Sequence, residues 1–187
     1  MPKLLFLSGS IRTDSLNTKL AKAAMQQATE LGAKTTYLDL KDYELPIYNG
    51  DLEAASGLPD NAKKIKELFV EHDGFFIASP EYNGSFSALL KNTIDWISRP
   101  HTDNEPPLHA FKGKIAALSA CSPGALGGLR GLVPLRMLLG NIGVIVSPSQ
   151  AAIGNGFKAF DETGNLTDNK QDELLNKVVS EFVNLSK

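Results

Sequence analysis

The sequence predicts an α/β fold of the doubly wound type: a three-layer sandwich in which a five-stranded parallel sheet of order 2-1-3-4-5 carries helices on both faces. Short apolar runs rich in β-branched and aromatic residues alternate with longer segments of helical apolar spacing, which is typical of βαβ units. Loops of small and polar residues follow the first and third runs, where a sheet of this order reverses its winding direction and binds ligands. The predicted strands are Leu4–Leu7, Thr35–Leu38, Gly74–Ala78, Ile115–Leu118 and Val144–Val146.

The first two helices are predicted from apolar faces that repeat at positions i, i+3 and i+4. The first helix ends before Gly32, which stands where a C-terminal cap belongs. Its face consists of Leu16, Leu20, Ala23, Ala24 and Leu31, with Gln27 as the lone polar member. The second helix spans Asp60–His72 after Pro59, and its face consists of Ala62, Ile65, Phe69 and His72.

Three further helices bring the predicted number to five. The third follows Ser85, the fourth runs from about Gly127 to Asn141, and the last begins near Asp168, which resembles a capping box with Gln171. The face of the last helix consists of Leu175, Val178, Phe182 and Leu185. The stretches 45–58 and 99–111 are rich in turn residues, so we expect long loops with a role in function or oligomer contacts.

Length and charge narrow the class of protein. A chain of 187 residues buries one sizeable core, so residues 1–187 are expected to form a single domain. Its 19 basic and 21 acidic residues leave a net charge of -2, which argues against nucleic acid and anionic membranes as partners. No apolar run approaches the ~20 residues of a membrane span, and there is one cysteine, so we expect a cytoplasmic protein without disulfides.

The loop after the first strand has the composition of a phosphate site. Ser10, Arg12, Thr13, Ser15 and Asn17 offer hydroxyl, guanidinium and amide donors beside the predicted start of the first helix, whose free N–H groups attract anions. The loop has one glycine, so it matches neither a P-loop nor the three-glycine dinucleotide fingerprint. A structural interpretation fits the same residues, with Ser15 as a helix cap, Ser10 in a turn and Arg12 solvated.

The loop after the third strand should face the first loop across one crevice, because both strands flank the point of reversal. It reads Ser-Pro-Glu-Tyr-Asn-Gly-Ser over residues 79–85. Such a turn presents backbone donors and acceptors together with a tyrosine, which suits the edge of a planar heteroaromatic ring. Alternatively, it is a proline-initiated turn that caps the next helix.

Five segments together resemble the NADPH-dependent FMN reductases, a family of flavodoxin-like fold that includes quinone, azo-dye and chromate reductases. They are GSIRTDSLN at 9–17, LDL at 38–40, LPIYNGD at 45–51, SPEYNGSFSALLKNTIDW at 79–96 and SPGALGG at 122–128. The segment at 79–96 is the most specific, because its residue types persist through a loop and the helix that follows. Phe86-Ser87 and Ala120-Cys121 differ from the pattern usual in the family.

The resemblance implies an FMN site, NAD(P)H as co-substrate, a small-molecule electron acceptor, and a homodimer or homotetramer. The implied phosphate residues are Ser10, Arg12, Ser15, Leu16 and Asn17. The residues implied along the isoalloxazine ring are Pro80, Glu81, Tyr82, Asn83 and Gly84, and those at its other edge are Ser119 and Ser122. No catalytic acid or base is implied, since the flavin carries the chemistry.

Several other residues are interpreted as structural. His72, His101 and His109 lack metal-ligand spacing, so no metal site is expected. Cys121 is expected to be a buried cysteine without redox activity, and Asp39 a cap or turn residue. Arg130 and Arg136 are assigned to a solvated helical face, in preference to a subunit interface or the phosphate of NADPH.

The sequence therefore predicts an FMN-dependent NAD(P)H oxidoreductase that acts on quinone-, azo- or chromate-type acceptors. One alternative is a flavodoxin-like electron carrier without nicotinamide turnover of its own, although such carriers often have a strongly acidic docking surface, which this chain lacks. Another is a phosphate-binding or regulatory domain without flavin.

Overall fold

A computed structural model, which describes residues 1–187, contains one parallel sheet of order β2-β1-β3-β4-β5. The strands are β1 Lys3–Ser8, β2 Lys34–Leu38, β3 Gly74–Ala78, β4 Ile115–Cys121 and β5 Ile145–Ile153. The helices are α1 Leu16–Glu30, α2 Gly50–Ser56, α3 Asp60–Glu71, α4 Ala88–Ile97, α5 Leu129–Asn141 and α6 Asn169–Leu185, with 3-10 turns at Leu40–Asp42 and Gly156–Lys158. The predicted fold class and strand order are confirmed.

The sheet separates two apolar cores, because successive side chains of a strand point to opposite faces. In β1, Leu4 and Phe6 pack with α1 and α6, whereas Leu5 and Leu7 pack with α3, α4 and α5. All four side chains are fully buried, as expected for a parallel sheet covered on both faces. Because the five strands are parallel, their carboxyl ends lie at the same edge of the sheet, and the loops that follow the strands meet there.

The segment 45–58 was predicted to be a loop. This prediction is partly wrong, since the segment contains α2. That helix has no buried residue, so it lacks the apolar face from which a helix is predicted. Asn49 caps it by accepting a hydrogen bond from Asp51 N at 2.8 Å. The preceding chain is fixed to α4, where Asn92 Nδ2 and Trp96 Nε1 both donate to Pro46 O, at 2.9 and 2.8 Å.

Strand β5 is longer than the predicted Val144–Val146 and contains a bulge. Its pairing with β4 shifts register between Ala116 and Leu118, which pair with Val146 and Gln150. The intervening residues 147–149 are Ser-Pro-Ser, which no strand pattern would include.

Side chains from both helical layers hold this bulge. Arg136 of α5 donates to Ser147 O at 2.9 Å, so its assignment to a solvated face is wrong. Glu181 of α6 accepts from the Ser147 hydroxyl and, at 3.1 Å, from Ser149 N. These hydrogen bonds lower the pKa of the Glu181 carboxyl.

Two leucines that were predicted to lie on apolar helix faces are exposed at the ends of their helices. Leu31 and Leu185 are 44% and 46% exposed, because the helices end beside them and the chain turns away from the core. Gly32 has φ +85°, as its predicted role beyond the end of α1 requires. Asp168 caps α6, but Gln171 Nε2 donates to Gly154 O at 3.2 Å instead of closing a capping box.

The segment 99–111, which has no helix or strand, is tied to α3 by a buried ion pair. Lys66 pairs with Glu105, and Lys66 Nζ also donates to Arg99 O at 2.5 Å. His101 Nδ1 lies 2.7 Å from the other Glu105 oxygen. Burial opposes ionisation of Glu105, but hydrogen bonds and charges from Lys66 and His101 outweigh it and lower the pKa of the carboxyl.

Candidate functional site

A cavity of about 290 Å³ opens at the carboxyl ends of β1, β3 and β4. This is the edge at which a doubly wound sheet binds ligands. The lining residues are Ser10, Arg12, Ser15, Leu16, Asn17, Pro80, Glu81, Tyr82, Cys121, Ser122, Pro123 and Phe157. The two loops singled out in the sequence therefore do face one crevice.

The β1–α1 loop forms one end of the cavity around the first turn of α1. Ser15 caps the helix by accepting from Thr18 N at 3.3 Å, and Ser10 Oγ accepts from Arg12 N at 3.3 Å. Both serines accept through oxygen, so each hydroxyl hydrogen stays available for a ligand. The backbone N–H groups of Leu16 and Asn17 precede the first intrahelical bonds and have no partner within the chain.

Gly9 and Ser87 join the two loops directly. The Ser87 hydroxyl donates to Gly9 O at 2.6 Å while accepting from Leu90 N as the cap of α4. A Cβ on Gly9 would lie 3.1 Å from Ser87 Oγ and 3.2 Å from Pro80 Cδ, so a larger residue at this position would push the two loops slightly apart. Thus Ser87, which departs from the usual family pattern, fixes the spacing between both walls.

Residues 82–85 form a tight turn at the rim of the cavity. Tyr82 N donates to Ser85 O at 2.9 Å and Ser85 N to Tyr82 O at 3.1 Å, with Asn83 and Gly84 both in the left-handed region, at φ +53° and +80°. This is the backbone of a two-residue Asn-Gly hairpin. The N–H groups of Asn83 and Gly84 have no partner within the chain, and the Tyr82 ring is 55% exposed.

The Glu81 carboxylate lies against the N-terminus of α5. One oxygen accepts from Arg130 N at 3.1 Å and Gly131 N at 3.3 Å, and the other lies 2.8 Å from Arg130 Nε. Arg130 is therefore in an ion pair, although it stays on the solvent-exposed face of α5 to which the sequence assigned it. The Glu81 side chain is only 8% exposed, whereas that of Arg130 is 70% exposed.

The end of β4 and the loop that follows it form another wall of the cavity, with Cys121, Ser122 and Pro123. Cys121 is buried in that wall, and burial raises the pKa of its thiol to about 12. The thiol is therefore protonated at neutral pH, which agrees with the inert cysteine expected from the sequence. Gly127 and Gly128 follow with φ +61° and +89°, and their missing side chains let the loop pack against β4 and β5.

No group of three or more His, Cys, Asp or Glu side chains is placed to hold a metal ion. None of the helices has the length and apolar character needed to cross a membrane.

A family model described as NADPH-dependent FMN reductase matches residues 2–158. The chain belongs to the NADPH-dependent FMN reductase family. Among curated members, the NAD(P)H-dependent FMN reductase of Pseudomonas aeruginosa is 36% identical over 175 residues, 92% of this chain and 89% of that protein. An NADPH:quinone oxidoreductase of Arabidopsis thaliana is 34% identical over 178 residues, 92% of this chain and 86% of that protein.

The solved structures agree with family membership. FerB, a flavoenzyme NAD(P)H:(acceptor) oxidoreductase from Paracoccus denitrificans, superposes with a TM-score of 0.84 at 32% identity, covering 100% of this chain and 97% of that one. An NADH:FMN oxidoreductase, EmoB, superposes with a TM-score of 0.72 at 20% identity, which shows the shared fold. The resemblance to the FMN reductase family stated from sequence segments is confirmed.

The cavity brings together nine of the twelve residues that the FMN reductase motifs assigned to a cofactor. Asn83 and Gly84 stand at its rim without lining it. Ser119 does not reach it, because its fully buried hydroxyl donates to Ala151 O at 2.7 Å.

The Asn17 side chain is used inside this FMN reductase fold instead of facing a ligand. Its Nδ2 donates to Cys121 O at 3.0 Å and its Oδ1 accepts from Cys121 N at 2.9 Å. The side chain thereby fastens the start of α1 to the end of β4, and the backbone N–H of Asn17 stays available to an anion.

Three lining residues were missed by the sequence analysis: Cys121, Pro123 and Phe157. The first two flank Ser122 and could have been included as its neighbours. Phe157 had no signal, because it lies in the 3-10 turn after β5, outside every segment that resembles the family. It projects from the 3-10 turn with 79% of its surface exposed, at the boundary of a second, more polar cavity of about 530 Å³.

Proposed function

We propose that residues 1–187 form a single FMN-binding domain that acts as an NAD(P)H oxidoreductase, passing hydride from the nicotinamide through FMN to a quinone-, azo- or chromate-type acceptor. The observation that carries this proposal is the cavity itself. Anion donors line one end, unpartnered backbone donors lie at the other, and the motifs of an FMN reductase supply both.

The α1 end of the cavity suits a terminal phosphate. The free N–H groups of Leu16 and Asn17, the hydroxyls of Ser10 and Ser15, and the Arg12 guanidinium are all donors, and the helix N-terminus adds partial positive charge. No carboxylate from the loop competes for these donors within the cavity lining. A phosphate monoester at this end would satisfy groups that the fold leaves without partners.

The opposite end suits the edge of a flavin ring. The N–H groups of Asn83 and Gly84 are fixed by the hairpin geometry and have no intramolecular partner, so they can donate to ring oxygen or nitrogen atoms. The cavity is at the small end of ligand pockets, so the ring would lie partly outside it, over the 80–84 turn and beside the exposed Tyr82. That position leaves one ring face open to a second aromatic molecule.

FMN supplies, when bound, the transfer of a hydride from NAD(P)H and of electrons to the acceptor. The chain supplies position and electrostatics. The hairpin N–H groups would stabilise negative charge on the ring, and the loop at 9–17 would hold the phosphate. No side chain of the cavity is required as a general acid or base.

The electron-carrier alternative is not favoured. The relatives from Pseudomonas aeruginosa and Arabidopsis thaliana are an NAD(P)H-dependent FMN reductase and an NADPH:quinone oxidoreductase. These proteins match along 86% or more of their own length, so the chain contains the body of a reductase of this family.

The deciding experiment is the visible absorption spectrum of the purified protein with added FMN, followed by anaerobic NADPH and then NADH. We expect FMN to bind and to be bleached rapidly by at least one nucleotide. Bound flavin that neither nucleotide reduces would support a carrier, and a protein that binds no flavin would overturn the proposal.

We also propose that the protein is a homodimer or homotetramer that uses the outward face of α5. Leu129, Val133 and Met137 follow one another at intervals of four residues and are all exposed, as is Leu126 before them. Such an apolar stripe beside a ligand site favours a second copy as its partner. Sedimentation equilibrium should give the mass of a dimer or of a larger oligomer. Val133→Glu should lower that mass, and Leu174→Lys on α6 should leave it unchanged. A monomeric native protein would contradict the proposal.

A cytoplasmic location is proposed on chemical grounds. The single cysteine is a free thiol and no structural disulfide is present, which suits a reducing compartment that contains NAD(P)H. Cell fractionation with an antibody against the chain would test it.

A further inference from the structure

We propose that the Glu81–Arg130 pair holds the 80–84 turn against α5 and balances the charge of that turn, so that the pair sets the reduction potential of the bound flavin. This inference rests on the proposed FMN site and gives Glu81 and Arg130 a role as positioning residues. Neither is a catalytic residue in this account.

The Glu81 carboxylate connects the turn to α5. Glu81 belongs to the turn at the ring end of the cavity and lines the cavity, yet its oxygens are directed to the N-terminus of α5. They accept from two backbone N–H groups and from the Arg130 guanidinium, whose closest nitrogen lies 2.7 Å away. A carboxylate with these partners fixes the turn to the helix more firmly than a neutral hydrogen bond would.

Helix α5 packs closely against the turn. A Cβ on Gly131 would lie 3.2 Å from Ser85 O and 3.3 Å from the Glu81 Cβ. Glycine at this position therefore allows the first turn of α5 to touch Ser85 at the end of the hairpin and Glu81 just before it. The contact is made by backbone and by one ion pair, so the position of the hairpin as a unit, with the N–H groups of Asn83 and Gly84, depends on it.

The charges of the Glu81–Arg130 pair also act at the ring end of the cavity. The Glu81 side chain is 8% exposed, so little solvent screens its negative charge from the ring end of the cavity. Arg130 and the positive end of α5 compensate that charge. Reduction adds electrons to the flavin, so an uncompensated carboxylate nearby would make reduction less favourable, and an uncompensated guanidinium would make it more favourable.

The test measures the midpoint potential of the FMN-loaded protein by reductive titration with dithionite and a reference dye, which needs no nicotinamide. Arg130→Gln should weaken binding of reduced FMN relative to oxidised FMN by about threefold to tenfold, which lowers the potential; a tenfold change corresponds to about 30 mV for a two-electron couple. Glu81→Gln should shift the potential in the opposite direction, because its amide oxygen still accepts from Gly131 N while Arg130 loses its partner. The double variant should return close to the native value.

Matched controls use an ion pair remote from the cavity. Lys63 and Asp60 form an exposed pair on α3. Lys63→Gln changes the net charge by the same amount as Arg130→Gln, and Asp60→Asn by the same amount as Glu81→Gln, and both should leave the reduction potential unchanged. Shifts of the same sign in Arg130→Gln and Glu81→Gln, or shifts equal to those of the controls, would overturn the proposed charge balance.

A second measurement on the apoprotein tests the anchor. Hydrogen exchange should speed up at Arg130 and Gly131 and in the 80–86 segment of Glu81→Ala, but not in Asp60→Asn. Unchanged exchange would overturn the anchoring role. If the native protein binds FMN but no nucleotide reduces the flavin, the proposed function fails, while both tests still decide this inference. If the protein binds no FMN, the proposed function and the claim about the reduction potential fail together.

Discussion

Arg12 is the only cationic side chain in the lining of the cofactor cavity. Its guanidinium makes one long contact, 3.4 Å to Asp14 O, and is otherwise available to a phosphate. Arg12→Ala should weaken FMN binding by about 1.5–3 kcal/mol, the usual value of a hydrogen bond to a charged group. Fluorescence quenching of FMN on titration with apoprotein measures the dissociation constant.

The matched control is Lys19→Ala, which removes one exposed positive charge from α1 outside the cavity. It should change the dissociation constant by less than twofold. Equal effects of the two substitutions would assign the loss to net charge and remove Arg12 from the site.

Cys121 should make the native state less stable as the pH rises. Its folded pKa of about 12 lies above the value of about 8.5 for an unfolded cysteine, so between these values the unfolded chain loses a proton that the folded chain keeps. The free energy of unfolding should then fall by up to about 1.4 kcal/mol per pH unit above pH 9. Urea unfolding between pH 8 and 10 should show that the free energy of unfolding depends less steeply on pH in Cys121→Ala than in the native protein. Identical slopes would contradict the burial of the thiol.

At the residue scale, the motifs predicted which residues line the cavity better than they predicted what each side chain does. Glu81, Asn17 and Ser119 all belong to recognisable segments, but each is engaged by a backbone group that is distant in sequence. Those partners depend on the three-dimensional packing of α5, β4 and β5. A motif specifies a residue type at a position, and it does not specify the direction of the side chain.

Gly156 controls how the β5–α6 connection packs on the site. A Cβ there would lie 2.6 Å from Leu16 Cδ1, 2.9 Å from Cys121 Sγ and 3.0 Å from Ser122 O, so Gly156→Ala must shift these side chains or the backbone of the cavity wall. We expect a loss of about 1–3 kcal/mol in the free energy of unfolding, together with weaker FMN binding. Urea unfolding and FMN titration measure the two effects.

Gly140 on α5 provides the matched control, because nothing lies within 4 Å of a Cβ built there. Gly140→Ala should stabilise the protein by about 0.5–1 kcal/mol, since alanine loses less backbone entropy in a helix. A Gly156→Ala variant as stable as Gly140→Ala would show that the turn adapts freely.

At the element scale, the sequence predicted the elements that bury a periodic apolar face. Strand β3 was predicted with its observed bounds, and α3 within one residue. The helix α2 was missed because none of its residues is buried, and the second half of β5 because the bulge interrupts its pattern. Elements held by hydrogen bonds from other parts of the chain leave little periodic signal.

The buried Lys66–Glu105 pair links a long connecting segment to the stability of the whole molecule. Both side chains are 5% exposed or less. Lys66→Met leaves a buried carboxylate without its cation and should lower the free energy of unfolding by about 3–5 kcal/mol. The double variant Lys66→Met/Glu105→Leu should recover most of this loss in urea unfolding, and a double variant as unstable as the single one would argue against pairing as the cause.

The Lys66–Glu105 pair should make the folded protein less stable at acidic pH. The folded pKa of Glu105 is lowered, so its stabilising contribution is present above the unfolded value and is lost as the pH falls through the folded value. Native protein should therefore lose more stability than Glu105→Gln on acidification below about pH 4.5.

For the whole molecule, strand order and layer arrangement followed from the alternation of strand and helix patterns, because right-handed crossovers leave few topologies. The family segments then located the cavity at the edge where ligands bind. The surface could not be predicted in the same way: the apolar stripe on α5 and the exposed Phe157 do not differ in sequence from residues that pack inside.

The bulge in β5 has a consequence for the behaviour of the protein at high concentration. Strand β5 is an outer strand, and an outer strand with a regular row of free backbone groups is a template for aggregation with another chain. Here Pro148 lacks an N–H, and Arg136 and Glu181 occupy polar groups of the serines on either side. The two helical layers thereby protect this edge of the sheet from intermolecular strand addition.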